Sequence, residues 1–172
     1  VEFSGAEVKR ANYQGDVGIH VAKAIWAIKN RVDKKAFLVI DQDENFANKV
    51  KFLGQMYAIG AKVFEADETA KNEIREINQK IFDRTDDEIN TLYDKGRAWS
   101  LAYFEEIYKK LGTKFDEYFF ESETGEKGKE LVEEGIKKGI FEKSEGAIVF
   151  RGEKHGLHTR VFINSAGLPT YE

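Results

Sequence analysis

The 172 residues predict an α/β protein with a mainly helical middle and a small β-sheet near the C-terminal end. Three observations carry this. A short alternating segment runs into a Gly-Asp-Val-Gly turn and then a helical pattern. About a hundred residues of helical periodicity follow. The period then switches to two over the last thirty residues. One strand–helix unit cannot cover its own sheet, so both ends read as cuts through a larger α/β domain.

Val1–Gly5 reads as the end of a helix, with Gly5 as its stop, and Ala6–Tyr13 as a short strand. A helix is expected from Asp16 to Arg31, with Val17, Val21, Ala24, Ile25 and Ile28 at intervals of three and four. Asp16 is its candidate N-cap, because a carboxylate there accepts from the orphan amides of the first turn. Phe46, Val50, Leu53 and Tyr57 mark a second helix, followed by Gly60, and Ile74, Ile77 and Ile81 a third. Asp86–Leu111 is the longest helix. Leu92, Trp99, Tyr103 and Ile107 lie on one face, and Leu101, Phe104, Tyr108 and Leu111 form a second stripe. Gly112 ends it. Phe115–Phe120 is strand-like, and Thr124–Gly139 holds a helix with Leu131, Val132 and Ile136 inward. Phe141–Lys143, Ala147–Arg151 and Leu157–Ile163 alternate as strands around Gly-containing turns. Asn164–Gly167 is a turn, and Leu168 onward reads as the start of another helix.

Composition narrows the function classes. With no Cys there is no disulfide scaffold, thiolate metal site or Cys nucleophile. Three His are little material for a zinc site. The longest aliphatic-aromatic run, Ala36–Ile40, is far short of the ~20 residues that span a bilayer. No membrane partner is expected, no secretion leader opens the chain, and the cytoplasm is the expected compartment. The net charge of −4 is unevenly placed: residues 1–40 carry +3, residues 41–146 carry −8 and residues 147–172 carry +1. An acidic middle argues against broad nucleic-acid binding there.

The candidate chemistry is sparse. Gly15-Asp16-Val17-Gly18 lies between a strand and a helix, where backbone amides can receive an anion. No Lys-Ser/Thr follows it and no third Gly completes a dinucleotide fingerprint. On spacing alone it reads as a tight βα turn. His20 reads as a packing or surface residue. His155 and His158, three apart, lack a third ligand. Asp41, Asp43 and Glu44 read as helix-start carboxylates, the aromatic set from Trp99 to Tyr108 as core, and the Lys/Glu run from Glu126 to Lys138 as a solvated face. No metal ligand and no catalytic residue is assigned.

Two segments go further. Ala11-Asn12-Tyr13-Gln14-Gly15-Asp16-Val17-Gly18-Ile19-His20-Val21-Ala22 resembles a strand–turn–helix motif of arginyl-tRNA synthetases. Gly146–Lys154, Leu157–Ile163 and Gly167–Glu172 resemble the strand pair that returns to the same fold. The resemblance implies a partial Rossmann-like nucleotide-binding fold interrupted by a mainly helical insertion. Residues 1–40 and 147–172 would belong to the catalytic fold and residues 41–146 to the insertion.

It also implies a class I enzyme that joins L-arginine to ATP with magnesium, releases pyrophosphate and passes the arginyl group to tRNA(Arg). By the same resemblance Tyr171 binds arginine, and Asn12, Gly15, Asp16, Gly18 and His20 shape the pocket. The family's His-x-Gly-His and Lys-Met-Ser-Lys-Ser strings are absent from these 172 residues. The chain is therefore expected to be an internal fragment that is inactive alone and holds no tightly bound cofactor. It is expected to self-associate through the strand edges Ala6–Tyr13 and Leu157–Ile163. The alternatives are a stand-alone helical module contacting tRNA or a protein partner, and a small α/β protein binding a nucleotide at Gly15–Gly18.

Overall fold

A computed structural model describes residues 1–170. The chain is mixed α/β and mostly helical, with little strand. It divides into two units. The first is Val1–Arg10 with Asp16–Asp116; the second is Ala11–Gly15 with the chain from Glu117 onward.

The first unit is built on five helices: α1 (Ile19–Arg31), α2 (Lys34–Gln42), α3 (Phe46–Ala66), α4 (Glu68–Asp83) and α5 (Asp87–Leu111). α1 packs against α3, α4 and α5 and lies at the centre. It therefore buries Ala22, Ile25, Trp26, Ala27 and Ile28 together, a wider sector than one stripe. Trp26 donates its indole N–H to Glu73 of α4 at 2.6 Å, which satisfies the polar edge of a buried ring.

Side-chain caps set most of the boundaries. Asp33, Asn45, Asp67 and Asp86 each accept from first-turn amides of α2, α3, α4 and α5 respectively. Asp86 is held below the usual carboxylate range, first by the Ile89 amide and then by Lys80. The Asn45 amide, and then the Asn48 side chain, do the same for Asp43. Gly112 closes α5 at φ 66°, where a side chain would be strained.

Several expectations are corrected here. The N-cap of α1 is Gly18, with no side-chain cap, and Asp16 is used elsewhere. Of the Asp41–Glu44 carboxylates, Asp43 accepts from the Asn45 amide at 2.8 Å, whereas Asp41 pairs with Lys95 of α5. α3 does not stop at Gly60, and its buried face is Lys49, Phe52, Met56 and Gly60. Tyr57, placed inward by spacing, is 45% exposed. The Ile74–Ile77–Ile81 face of α4 is buried as expected. Along α5 only Ile89, Tyr93 and Trp99 are fully buried, while Phe104 and Leu111 of the second stripe are exposed. Ala36–Ile40 lies within α2, an element that periodicity had not marked.

In the second unit β1 (Ala11–Gln14) pairs in parallel with β2 (Glu117–Phe120), register Asn12 to Tyr118. α6 (Glu121–Lys137) follows directly, and the Tyr13 hydroxyl lies 3.3 Å from Thr124 Oγ1 on its first turn. α6 buries Val132 and Gly135, whereas Leu131 is exposed. Gly135 is required by space, because a Cβ there would lie 2.3 Å from the Phe141 ring.

An antiparallel sheet of β3 (Glu142–Ser144), β4 (Ala147–Phe150) and β5 (Arg160–Ile163) completes the unit. Glu145 and Gly146 both have positive φ, so β3 and β4 join through a two-residue hairpin turn. β5 is shorter than the expected Leu157–Ile163, and the Leu157 amide instead donates to the Gly152 carbonyl at 2.9 Å, closing the Gly152–His155 3-10 turn. Leu168–Thr170 is not helical: Pro169 bridges Ile163, and the Thr170 amide donates to the Phe162 carbonyl at 3.1 Å. Val1–Gly5 ends as expected on a left-handed Gly5, after a single 3-10 turn.

Candidate functional site

The segment Asn12–His20 is realised as strand, turn and helix. Asn12 lies in β1, Gly15 follows it, and Gly18 caps α1. Gly18 has φ 119° and ψ 175°, a conformation that side-chain-bearing residues rarely adopt. The exposed His20 imidazole lies against it, 3.3 Å from where a Cβ would stand. Gly15 likewise leaves room for the Glu121 carboxylate, 3.4 Å from the same kind of point. The Val21 and Ala22 amides both donate to the Gly18 carbonyl, which starts the helix from the turn itself.

Asp16 is the anchored member of the group. Its side chain is 6% exposed, and its Oδ2 faces two groups of α5. The Tyr93 hydroxyl donates to it at 2.9 Å, and Arg97 Nε stands 2.8 Å away. Tyr93 and Arg97 are four residues apart and so share one face of α5. Arg84 closes the arrangement. Its guanidinium lies 5.2 Å from the Tyr93 ring centroid and makes paired bonds to Asp94 at 2.9 and 2.8 Å. The carboxylate therefore sits between a cation and a hydroxyl, and ties the turn before α1 to α5.

Of the residues singled out, Asp16, Gly18 and His20 lie in the first unit, and Asn12 and Gly15 in the second. Tyr171 lies outside the described residues. His155 stacks on Phe150, ring centroids 5.7 Å apart. Among the described residues no three of His, Cys, Asp and Glu gather in a group able to hold a metal ion. Tyr93 and Arg97 escaped sequence reasoning. Their i, i+4 spacing on α5 was visible, but nothing along the chain indicated that their partner lies 77 residues from Tyr93.

No family model matches the chain. Comparison with curated and solved proteins gives a consistent result. The chain is 31% identical to an arginine–tRNA ligase of Parabacteroides distasonis, over 99% of its own length and 31% of that protein's. It is 29% identical to an arginine–tRNA ligase of Treponema denticola, over 99% of its length and 28% of the relative's. The crystal structure of arginyl-tRNA synthetase from Plasmodium falciparum shares the fold at a TM-score of 0.64 and 18% identity. That match covers 99% of this chain and 27% of the other.

The chain is thus similar in sequence to arginine–tRNA ligases, proteins of the aminoacyl-tRNA synthetase class, as the Asn12–His20 segment indicated, and it spans about a third of the length of the curated relatives it matches.

Proposed function

We propose that this chain serves as part of an arginine–tRNA ligase, which activates L-arginine with ATP and transfers it to tRNA(Arg). The observation that carries this reading is the similarity to such ligases along 99% of the chain. In this reading residues 1–40 and 147–172 map to a Rossmann-like catalytic fold and residues 41–146 to an insertion. Asn12, Gly15, Asp16, Gly18 and His20 shape the floor of the pocket, and Tyr171 contacts the arginine. Catalysis of such a step rests on positioning and charge stabilisation.

These 172 residues lack the His-x-Gly-His and Lys-Met-Ser-Lys-Ser strings, so alone they are expected to be inert. Arginine-dependent ATP–pyrophosphate exchange tests both halves of the proposal. The protein that carries this segment together with those strings should exchange and should charge tRNA(Arg), whereas the isolated 172 residues should not. Exchange by the isolated chain, or none by the longer protein, would overturn it.

Packing weighs against the stand-alone helical module. α1 lies within residues 1–40, and its principal partners α3, α4 and α5 lie within residues 41–146, so the helical block is built around α1. A two-stranded parallel pair is also a poor free-standing sheet. The isolated chain is therefore expected to self-associate through strand edges. Size-exclusion chromatography would show a concentration-dependent apparent mass, and a strict monomer at high concentration would count against this.

A further inference from the structure

We infer that Tyr93 and Arg97 of α5 are positioning residues for the proposed reaction. They hold Asp16 and, through it, set the turn from which α1 begins. The inference deepens the proposed function and rests on it for its kinetic part only.

Four observations support it. The Asp16 side chain is nearly buried, and the Tyr93 hydroxyl and Arg97 Nε of α5 both face its Oδ2. Its neighbour Val17 is buried in the same core as Tyr93, so the backbone at Asp16 is gripped on two sides. Two residues on, Gly18 holds a conformation that few residues tolerate and accepts the Val21 and Ala22 amides. A shift of Asp16 therefore changes how α1 starts. Finally, Tyr93 is itself braced, because Arg84 stacks on its ring while bonded to Asp94. The line Asp94–Arg84–Tyr93–Asp16 runs from the exposed surface of α5 and the α4 C-terminus to the turn.

A purely structural ion pair would stabilise the fold as a whole. A positioning pair acts locally, and the two are separable. Tyr93→Phe removes only the hydroxyl, and Arg97→Lys keeps the charge but not the geometry of the guanidinium. Losing a hydrogen bond to a charged group is expected to raise amide hydrogen exchange about tenfold at Val21 and Ala22, with Ile77 and Ile81 of α4 unchanged. This is read in the 172-residue chain and needs no catalysis. In the longer protein, Tyr93→Phe is expected to raise KM for ATP or arginine several-fold in pyrophosphate exchange, with the melting temperature nearly unmoved. Arg97→Lys should recover part of what Arg97→Met loses.

Equal loosening of α1 and α4, or none at Val21 and Ala22, would overturn the inference. Local loosening with KM and kcat both unchanged would overturn its kinetic part. Local loosening in a protein with no arginine-dependent exchange would leave the Asp16 linkage standing and remove the proposed function instead.

Discussion

Gly60→Ala destabilises the chain by about 2 kcal/mol or more, and Gly54→Ala on the same helix does not. The contrast follows from what each glycine faces. A Cβ at Gly60 would stand 2.1 Å from the Lys23 carbonyl oxygen and 2.6 Å from its carbon, both backbone atoms of α1. Backbone in the middle of a helix cannot swing aside as a side-chain tip can. α1 and α3 would have to separate, and theirs is the most extensive helix pairing in the first unit. Separation would loosen the contacts of Ala22, Ile25 and Met56, which are all buried. The intrinsic gain from replacing a mid-helix glycine with alanine is only about 1 kcal/mol, so the clash dominates. Gly54 is exposed with nothing within 4 Å of the same position, and there the intrinsic gain stands alone. Urea midpoints of the two variants measure the difference. A Gly60→Ala midpoint at or above that of the unsubstituted chain would refute the close crossing.

The same position explains why parts of the fold were legible from sequence and parts were not. α4 and α5 carry their own signals: isoleucines at 74, 77 and 81, an Asp at 86 and a Gly at 112 where the chain turns left-handed. The hairpin of β3 and β4 is written in Glu145-Gly146. The inner face of α3 is not written in hydrophobicity, because two of its four buried residues are Lys49 and Gly60. One is buried by its aliphatic stem and its aromatic neighbours, the other by having no side chain. The apolar stripe one position away looked better and was partly solvent-exposed. The candidate site shows the same division. The turn Gly15–Gly18 was readable, since glycines and a following helical period are local signals. The partners of Asp16 come from a helix starting some seventy residues later. A carboxylate before a helix looks identical whether it caps that helix or is held by another.

Lys49 leads to the second large effect, at Trp99. Trp99→Ala is expected to cost about 3–5 kcal/mol, the usual range for truncating a buried aromatic ring, and to release α2 before the rest of the unit. No residue of α2 is fully buried, so the helix is held by a few contacts at one side. Phe37 packs with Trp99 at 6.0 Å and with Phe52 at 6.4 Å between ring centroids. The Lys49 ammonium donates to the Asp41 carbonyl at 2.8 Å while lying 5.1 Å from the Trp99 ring centroid, and Lys95 pairs with the Asp41 carboxylate. Removing the Trp99 ring takes away one of the two rings packed on Phe37 and one aromatic face over the Lys49 ammonium, which is bonded to the Asp41 carbonyl, so both losses weaken the attachment of α2. Amide exchange across Phe37–Asp41 should therefore accelerate more than exchange across α4. Trp99→Phe keeps a ring over Lys49 and beside Phe37, and is expected to retain most of the protection. If Trp99→Ala loosens α4 as much as α2, Trp99 supports the whole core rather than fastening α2 to it.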